Sequence, residues 1–253
     1  MLKKPSTTAK KQASKTTKPK GEKIESFSSK NCDNFKLELK AIQKPIVNLH
    51  KEHDIVILDG YAGTAKDFMQ MYRAMEGLIS KEFEEVIFMR TIVEASDQKL
   101  GFLPGDEKDK TAPYLEIFHD QMKGMLKPHV FDRLKSKVRF EYPGFIRGKT
   151  FGGNNRGNVC VILTEAQNCT MKELVTIATR MAEGSKLYIN GCQTQSDIGN
   201  RSGLGDFMKI VNKIQGVHVE KLGDEYQMRG RLVTEIDRAH RNFLQNSAKI
   251  RQN

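Results

Sequence analysis

The sequence predicts an α/β fold with a mainly parallel sheet, and three observations carry that reading. Short apolar runs recur at residues 54–58, 85–89, 138–142, 159–163, 186–190 and Val217–Leu222, separated by stretches with helical spacing. Strands alternating with helices imply βαβ crossovers. The run Val159-Cys-Val-Ile-Leu163 is apolar without alternation, as in a strand covered on both faces. The first run passes directly into a glycine turn, Gly60-Tyr-Ala-Gly-Thr-Ala-Lys-Asp67, which is the strand–loop–helix order of a phosphate-binding unit.

Residues 1–25 hold eight lysines and two glutamates with almost no apolar side chains. Such a segment cannot bury enough area to offset its chain entropy, so it is predicted to be a disordered arm. It carries +6 of the formal +11, and lysine at this density is the electrostatic footprint of a polyanion partner, with a solubilising tail as the plainer alternative. Residues 26–253 have the length of a single α/β domain. The chain shows no signal-peptide core and no apolar run long enough to span a membrane, so a soluble cytoplasmic protein is expected. Cys32, Cys160, Cys169 and Cys192 form no Cys-x-x-Cys pair and read as free thiols. His50 and His53 read as solvated residues on one helix face.

After the first strand the phosphate-loop pattern requires Gly, four residues, then Gly-Lys-Ser/Thr, so that backbone amides and a lysine cradle phosphates while a hydroxyl holds Mg2+. Gly60, Gly63 and Lys66 agree with phosphate binding; Tyr61, Ala62 and Thr64 fill the variable positions. Ala65 puts a methyl group where backbone approaches phosphate, and Asp67 puts a carboxylate where the hydroxyl belongs. A second Gly-Lys-Thr, within Pro143-Gly-Phe-Ile-Arg-Gly-Lys-Thr150, has the wrong spacing and is followed by a glycine-asparagine run that disfavours a helix start. The helix after the loop places Met69, Tyr72, Met75, Leu78 and Ile79 at core spacing. The last helix is predicted over residues 229–245, with Leu232, Ile236, Ala239 and Phe243 as its apolar face.

In parallel sheets ligands bind at the carboxyl ends of strands, here from Gly60, Arg90, Thr164 and Gly191 onward. The fourth strand ends in Thr164-Glu-Ala-Gln-Asn168. Glu165 stands where a glutamate would polarise an attacking water, and Thr164 where an aspartate would hold the metal.

These stretches, with Leu-Gly-Phe-Leu-Pro-Gly-Asp at residues 100–106, Arg147-Gly-Lys-Thr150, Thr179-Arg180 and Gly191 with Thr194-Gln195, resemble the PhoH-like P-loop ATPases over roughly residues 40–245. The resemblance implies a RecA-like fold, ATP and Mg2+ as ligands, a homo-hexameric ring and activity linked to RNA or other nucleic acid, reached through the basic arm and strand-end loops. It implies roles for Lys66 on the β- and γ-phosphates, Glu165 as general base, Gln195 as γ-phosphate sensor, and Arg180 or Arg229 as an arginine contact from the same or a neighbouring subunit. It also points to Gln43 as a reader of the adenine edge, against the plainer reading of a surface glutamine. A compact copy with a degenerate core is what a phage-encoded member would look like.

Where the family pattern has a hydroxyl in the loop and an aspartate at the strand end, this chain has Asp67 and Thr164, so the pair is exchanged and would hold Mg2+ in reverse. Asp67 without a cation opposes phosphate, and Ala65 adds a steric objection. Two readings follow: a nucleotide-binding protein with weak or lost ATPase, or a pseudoenzyme that serves as a nucleic-acid or protein platform.

Overall fold

The computed structural model describes residues 33–91, 107–153 and 157–250, the side chains of 107–111 and 244–250 excepted. The lysine arm, Cys32 and the 100–106 signature lie outside the described residues. Helix α1 (Gln43–Glu52) precedes β1 (Ile55–Gly60), α2 (Lys66–Ser80) and β2 (Glu85–Arg90). Next come α3 (Glu107–Met125), α4 (Pro128–Leu134), β3 (Val138–Glu141), β4 (Val159–Thr164) and α5 (Met171–Ala178). The chain closes with β5 (Lys186–Gly191), α6 (Leu204–Val211), β6 (Val217–Leu222) and α7 (Arg231–Ile250).

All six apolar runs are strands of one sheet in the order β3-β2-β4-β5-β1-β6, and every pairing is parallel. All six strand carboxyl ends therefore lie along one edge. Burial explains the sequence patterns: central β4 is buried throughout, whereas edge strand β3 alternates. The sheet separates two apolar layers. One side packs Met69, Tyr72, Met75 and Leu78 of α2 with residues of α1, α3 and α4, and the other packs α5 and α6 against Ile57, Val161 and Ile189.

Two expectations are corrected. His50 is fully buried, its Nδ1 2.8 Å from the Ile46 carbonyl and its ring edge-on to Tyr188. Burial pushes its pKa down to about 3, so it is a neutral core residue rather than a solvated one. Helix α7 forms, but its apolar stripe does not meet the body: Leu232 is 69% exposed, Ile236 62% and Phe243 68%. The less exposed positions of the helix include Thr234, Asp237 and Arg241, one polar face at helical spacing. Among the described residues no helix is long and apolar enough to cross a membrane, and Cys160, Cys169 and Cys192 are buried free thiols.

Candidate functional site

A cleft of about 460 Å³ opens at the strand-end edge, lined by the phosphate-type loop and α2 on one wall, the ends of β4 and β5 on another, and α3 above. Strands β1 and β4 are not neighbours, since β5 lies between them, and its terminal Asn190 and Gly191, with Cys192 just beyond, line the cleft. The crossover order thus brings Lys66, Asp67, Glu165 and Gln195 to one cavity from three distant segments.

The loop is held by its own atoms. Lys66 Nζ donates to the carbonyls of Gly60 at 2.6 Å and Tyr61 at 2.9 Å, and Thr64 Oγ1 donates to Tyr61 O at 2.8 Å. Ala65 turns the chain into α2 in the left-handed region, φ 60° and ψ 26°, and its carbonyl accepts from Met69 N at 3.0 Å. A residue with a Cβ pays about 1–2 kcal/mol for that conformation, where glycine pays none. Glu165 leaves β4 with φ 54°. Two of the three positive-φ non-glycine residues among the described ones thus border the cleft, as strained backbone does at working sites.

Electrostatics follow from burial. Desolvation lowers the Lys66 pKa, opposed first by Asp67. Desolvation raises that of Asp67, with Lys66 opposing and Glu165 adding to the rise. A side-chain hydrogen bond from Asn190 to the Asp67 carboxyl group limits the rise, but Oδ1 is buried with no hydrogen-bond partner, and a buried acceptor in that state suits a cation or a proton. Thr164 Oγ1 donates instead to the Met89 carbonyl across the β2–β4 ladder, at 3.5 Å. No hydrogen bond joins Asp67 to Thr164 among the described residues, because Thr164 ends a strand one place removed from β1 and its hydroxyl is satisfied there.

The other candidates fall unevenly. Arg229 lines the cleft beside Gly63, and Gln195 lines it from the loop after β5. Arg180 lies past the end of α5, its carbonyl accepting from Phe151 N at 2.9 Å. Because α5 returns the chain to the start of β5, Arg180 sits at the opposite edge of the sheet from the cleft. Gln43 is buried rather than on the surface, and its Oε1 accepts from Lys40 N at 2.9 Å. The cleft wall on that side comes from Leu37, Phe68, Met71 and Met125.

Several supporting residues were not foreseen. Gln167 bridges the two strand ends: its Nε2 donates to Glu165 Oε2 at 2.6 Å and its Oε1 accepts from Cys192 N at 3.1 Å. A Cβ on Gly191 would meet that same Oε1 at 2.8 Å, so the approach requires glycine. Asn168 clasps Asp197 through both amide atoms, fixing the loop that carries Gln195. Asp59 accepts from Gln193 Nε2 at 2.6 Å, tying the end of β1 to the same loop.

From the C-terminal side, Gln227 Nε2 donates to Ala62 O and Met228 N to Gly63 O, at 3.0 and 2.9 Å. Gly63, at φ 89°, leaves no room for a Cβ there, since one would lie 2.0 Å from Gln227 Oε1. Arg241 of α7 lies 3.8 Å over the Tyr61 ring and is paired with Asp224 at 3.0 Å and Asp237 at 3.1 Å. A motif reading could not find this contact, because its partners are far apart in sequence and Tyr61 occupies a variable loop position.

A loop after the first strand of a parallel sheet, a lysine opening the following helix, and a strand-end glutamate across an intervening strand define a RecA-like P-loop NTPase fold. Within that class the chain belongs to the PhoH family: the family model described as PhoH-like protein matches residues 38–241. A PhoH-like protein of Mycobacterium tuberculosis (strain ATCC 25618 / H37Rv) is 34% identical over 205 residues, covering 79% of this chain and 56% of the relative. One of Bacillus subtilis (strain 168) is 32% identical over 217 residues, covering 84% and 66%. Protein PhoH of Escherichia coli (strain K12) is 32% identical over 189 residues, covering 70% and 50%. The chain therefore spans between half and two thirds of the length of these relatives. Among solved structures, the Pyrococcus furiosus Hef helicase domain aligns with a TM-score of 0.43 and 14% identity, over 72% of this chain and 38% of that one. Bacteroides Pif1 bound to ssDNA aligns with 0.33 and 14%, over 74% and 42%.

Proposed function

We propose that this chain is a PhoH-like nucleotide-binding protein that takes ATP with Mg2+ in the strand-end cleft, hydrolyses it slowly or not at all, and acts on nucleic acid. One observation carries the reading: Lys66 and the partnerless, buried Asp67 Oδ1 open α2 into a cleft whose far wall is Glu165. The residues present fit both ligands. The first amides of α2 and Lys66 would receive phosphate oxygens, and Asp67 would hold the metal, with Thr164 as the second candidate at the end of β4. Mg2+ would neutralise charge between the carboxylate and the phosphates. Glu165, oriented by Gln167, would accept a proton from water; Gln195 and Arg229 would contact the terminal phosphate. Gln43, buried and outside the cleft lining, is not assigned to the adenine edge.

Arg180 does not line its own cleft, so its arginine contact would be made to a neighbouring subunit of a homo-hexameric ring. The nucleic-acid link rests on the lysine arm and the +11 formal charge.

A second reading is favoured by a separate observation. The Lys66 ammonium is already taken by the Gly60 and Tyr61 carbonyls, and Ala65 carries a methyl group at the turn. On that reading the loop binds no nucleotide and the protein is a platform for nucleic acid or protein. Titration with ATP, with and without Mg2+ and with Lys66→Ala as control, separates the two: metal-dependent binding lost in K66A supports the first.

A further inference from the structure

The second Gly-Lys-Thr of the sequence takes no part in the cleft. It lies in the loop that leaves the carboxyl end of β3, the edge strand, and returns to Phe151, whose N donates to the Arg180 carbonyl. Pro143 and Ile146 are buried on either side of Phe145, which is itself 66% exposed. Backbone bonds close the loop: Phe145 N donates to Tyr142 O and Lys149 N to Ile146 O, both at 3.0 Å, and Gly148 turns at φ 80°. The Tyr142 ring meets Phe145 edge-on at 6.1 Å.

A single exposed apolar residue needs no explanation by itself. What sets this one apart is that the loop uses two buried anchors to hold a ring outward in a segment that also carries Arg147. Glu141 is matched by Lys149 at 2.7 Å and by Arg139, while Arg147 is exposed and takes part in none of these pairs. A braced, exposed aromatic ring with an exposed arginine two residues along is the chemistry that receives an unstacked base and its phosphate, whereas a duplex offers no free base face.

We propose that the loop at residues 143–150 is a stacking platform for single-stranded nucleic acid, with Phe145 against a base and Arg147 on the backbone. This rests on the nucleic-acid part of the function proposed above and names where the strand is held.

The test is fluorescence anisotropy of the full chain with labelled oligouridine, labelled oligothymidine and a blunt duplex. Phe145→Ala is expected to weaken single-strand binding about 10-fold and leave duplex binding unchanged, and Phe145→Trp to restore it. Arg147→Ala should lower the slope of log affinity against log salt by about 0.7, one phosphate contact on a single strand. Since Phe145 is mostly exposed, its variants should melt with the unsubstituted chain, which is checked in parallel. Single-strand binding by F145A equal to that of the unsubstituted chain overturns the platform alone and assigns the ring to a protein partner. No single-strand binding by the unsubstituted chain removes the nucleic-acid reading and the platform with it.

Discussion

Replacing Asp67 by asparagine keeps the shape of the side chain and removes its charge, and the structure fixes the sign of three consequences. Burial raises the Asp67 pKa above the ordinary aspartate value, so the folded protein holds that proton more tightly than the unfolded chain does. The ionised carboxylate then costs stability above its folded pKa, and the cost fades as pH falls through that value toward the unfolded one. Asp67→Asn should therefore stabilise the protein at neutral pH by about 1 kcal/mol, the scale of one poorly satisfied buried polar group, and the gain should vanish in acid, where both states are protonated. The second consequence concerns phosphate. A carboxylate about 4 Å from a phosphate charge is opposed by roughly 4 kcal/mol at an effective dielectric near 20. If solvent and loop adjustment recover half of that, metal-free ATP binding should tighten on the order of 30-fold. The third is that Mg2+ should then add little, because its ligand is gone. Calorimetric titration with and without Mg2+ and melting curves at neutral and acidic pH measure all three. Unchanged metal-free affinity in D67N would refute the placement of Asp67 against the phosphates.

Two further predictions concern the loop. Ala65→Gly relieves a left-handed alanine worth about 1–2 kcal/mol against about 0.4–1 kcal/mol of added unfolded-chain entropy, so it should raise stability by roughly 0.5–1 kcal/mol and tighten ATP binding; a lower melting temperature would contradict the strain. Arg241→Ala removes the cation above Tyr61 and should weaken ATP binding several-fold, with faster amide exchange at residues 60–66 and little change in the sheet; unchanged exchange there would show that α7 does not steady the loop.

The central strands were legible because burial on both faces writes itself as continuous apolar runs, and the Met69 to Leu78 stripe because a helix against a sheet repeats at its own period. The placement of the loop, Lys66 and Glu165 along one strand-end cleft was legible because the phosphate-loop pattern restricts residue type at fixed spacing. Gln43 was not, since a glutamine that accepts from a backbone amide three residues away looks in sequence like a surface residue. Helix α7 misled in the opposite sense: Leu232, Ile236 and Phe243 have core spacing, yet the body receives Asp237 and Arg241, because what lies beneath is Tyr61 and Asp224. Gln167 could be quoted as part of a motif but not given its task, which depends on Cys192 arriving from another strand. The exchange of Asp67 and Thr164 is visible in sequence, but the threonine hydroxyl's bond to the Met89 carbonyl is not, because it depends on which strand lies beside β4.

The most direct test of the central claim is titration of the full chain with ATP in the presence and absence of Mg2+, alongside Lys66→Ala. Binding that requires the metal and is abolished in K66A is the predicted result. Absence of binding in both conditions would contradict it and leave the chain a platform built on a silent phosphate loop.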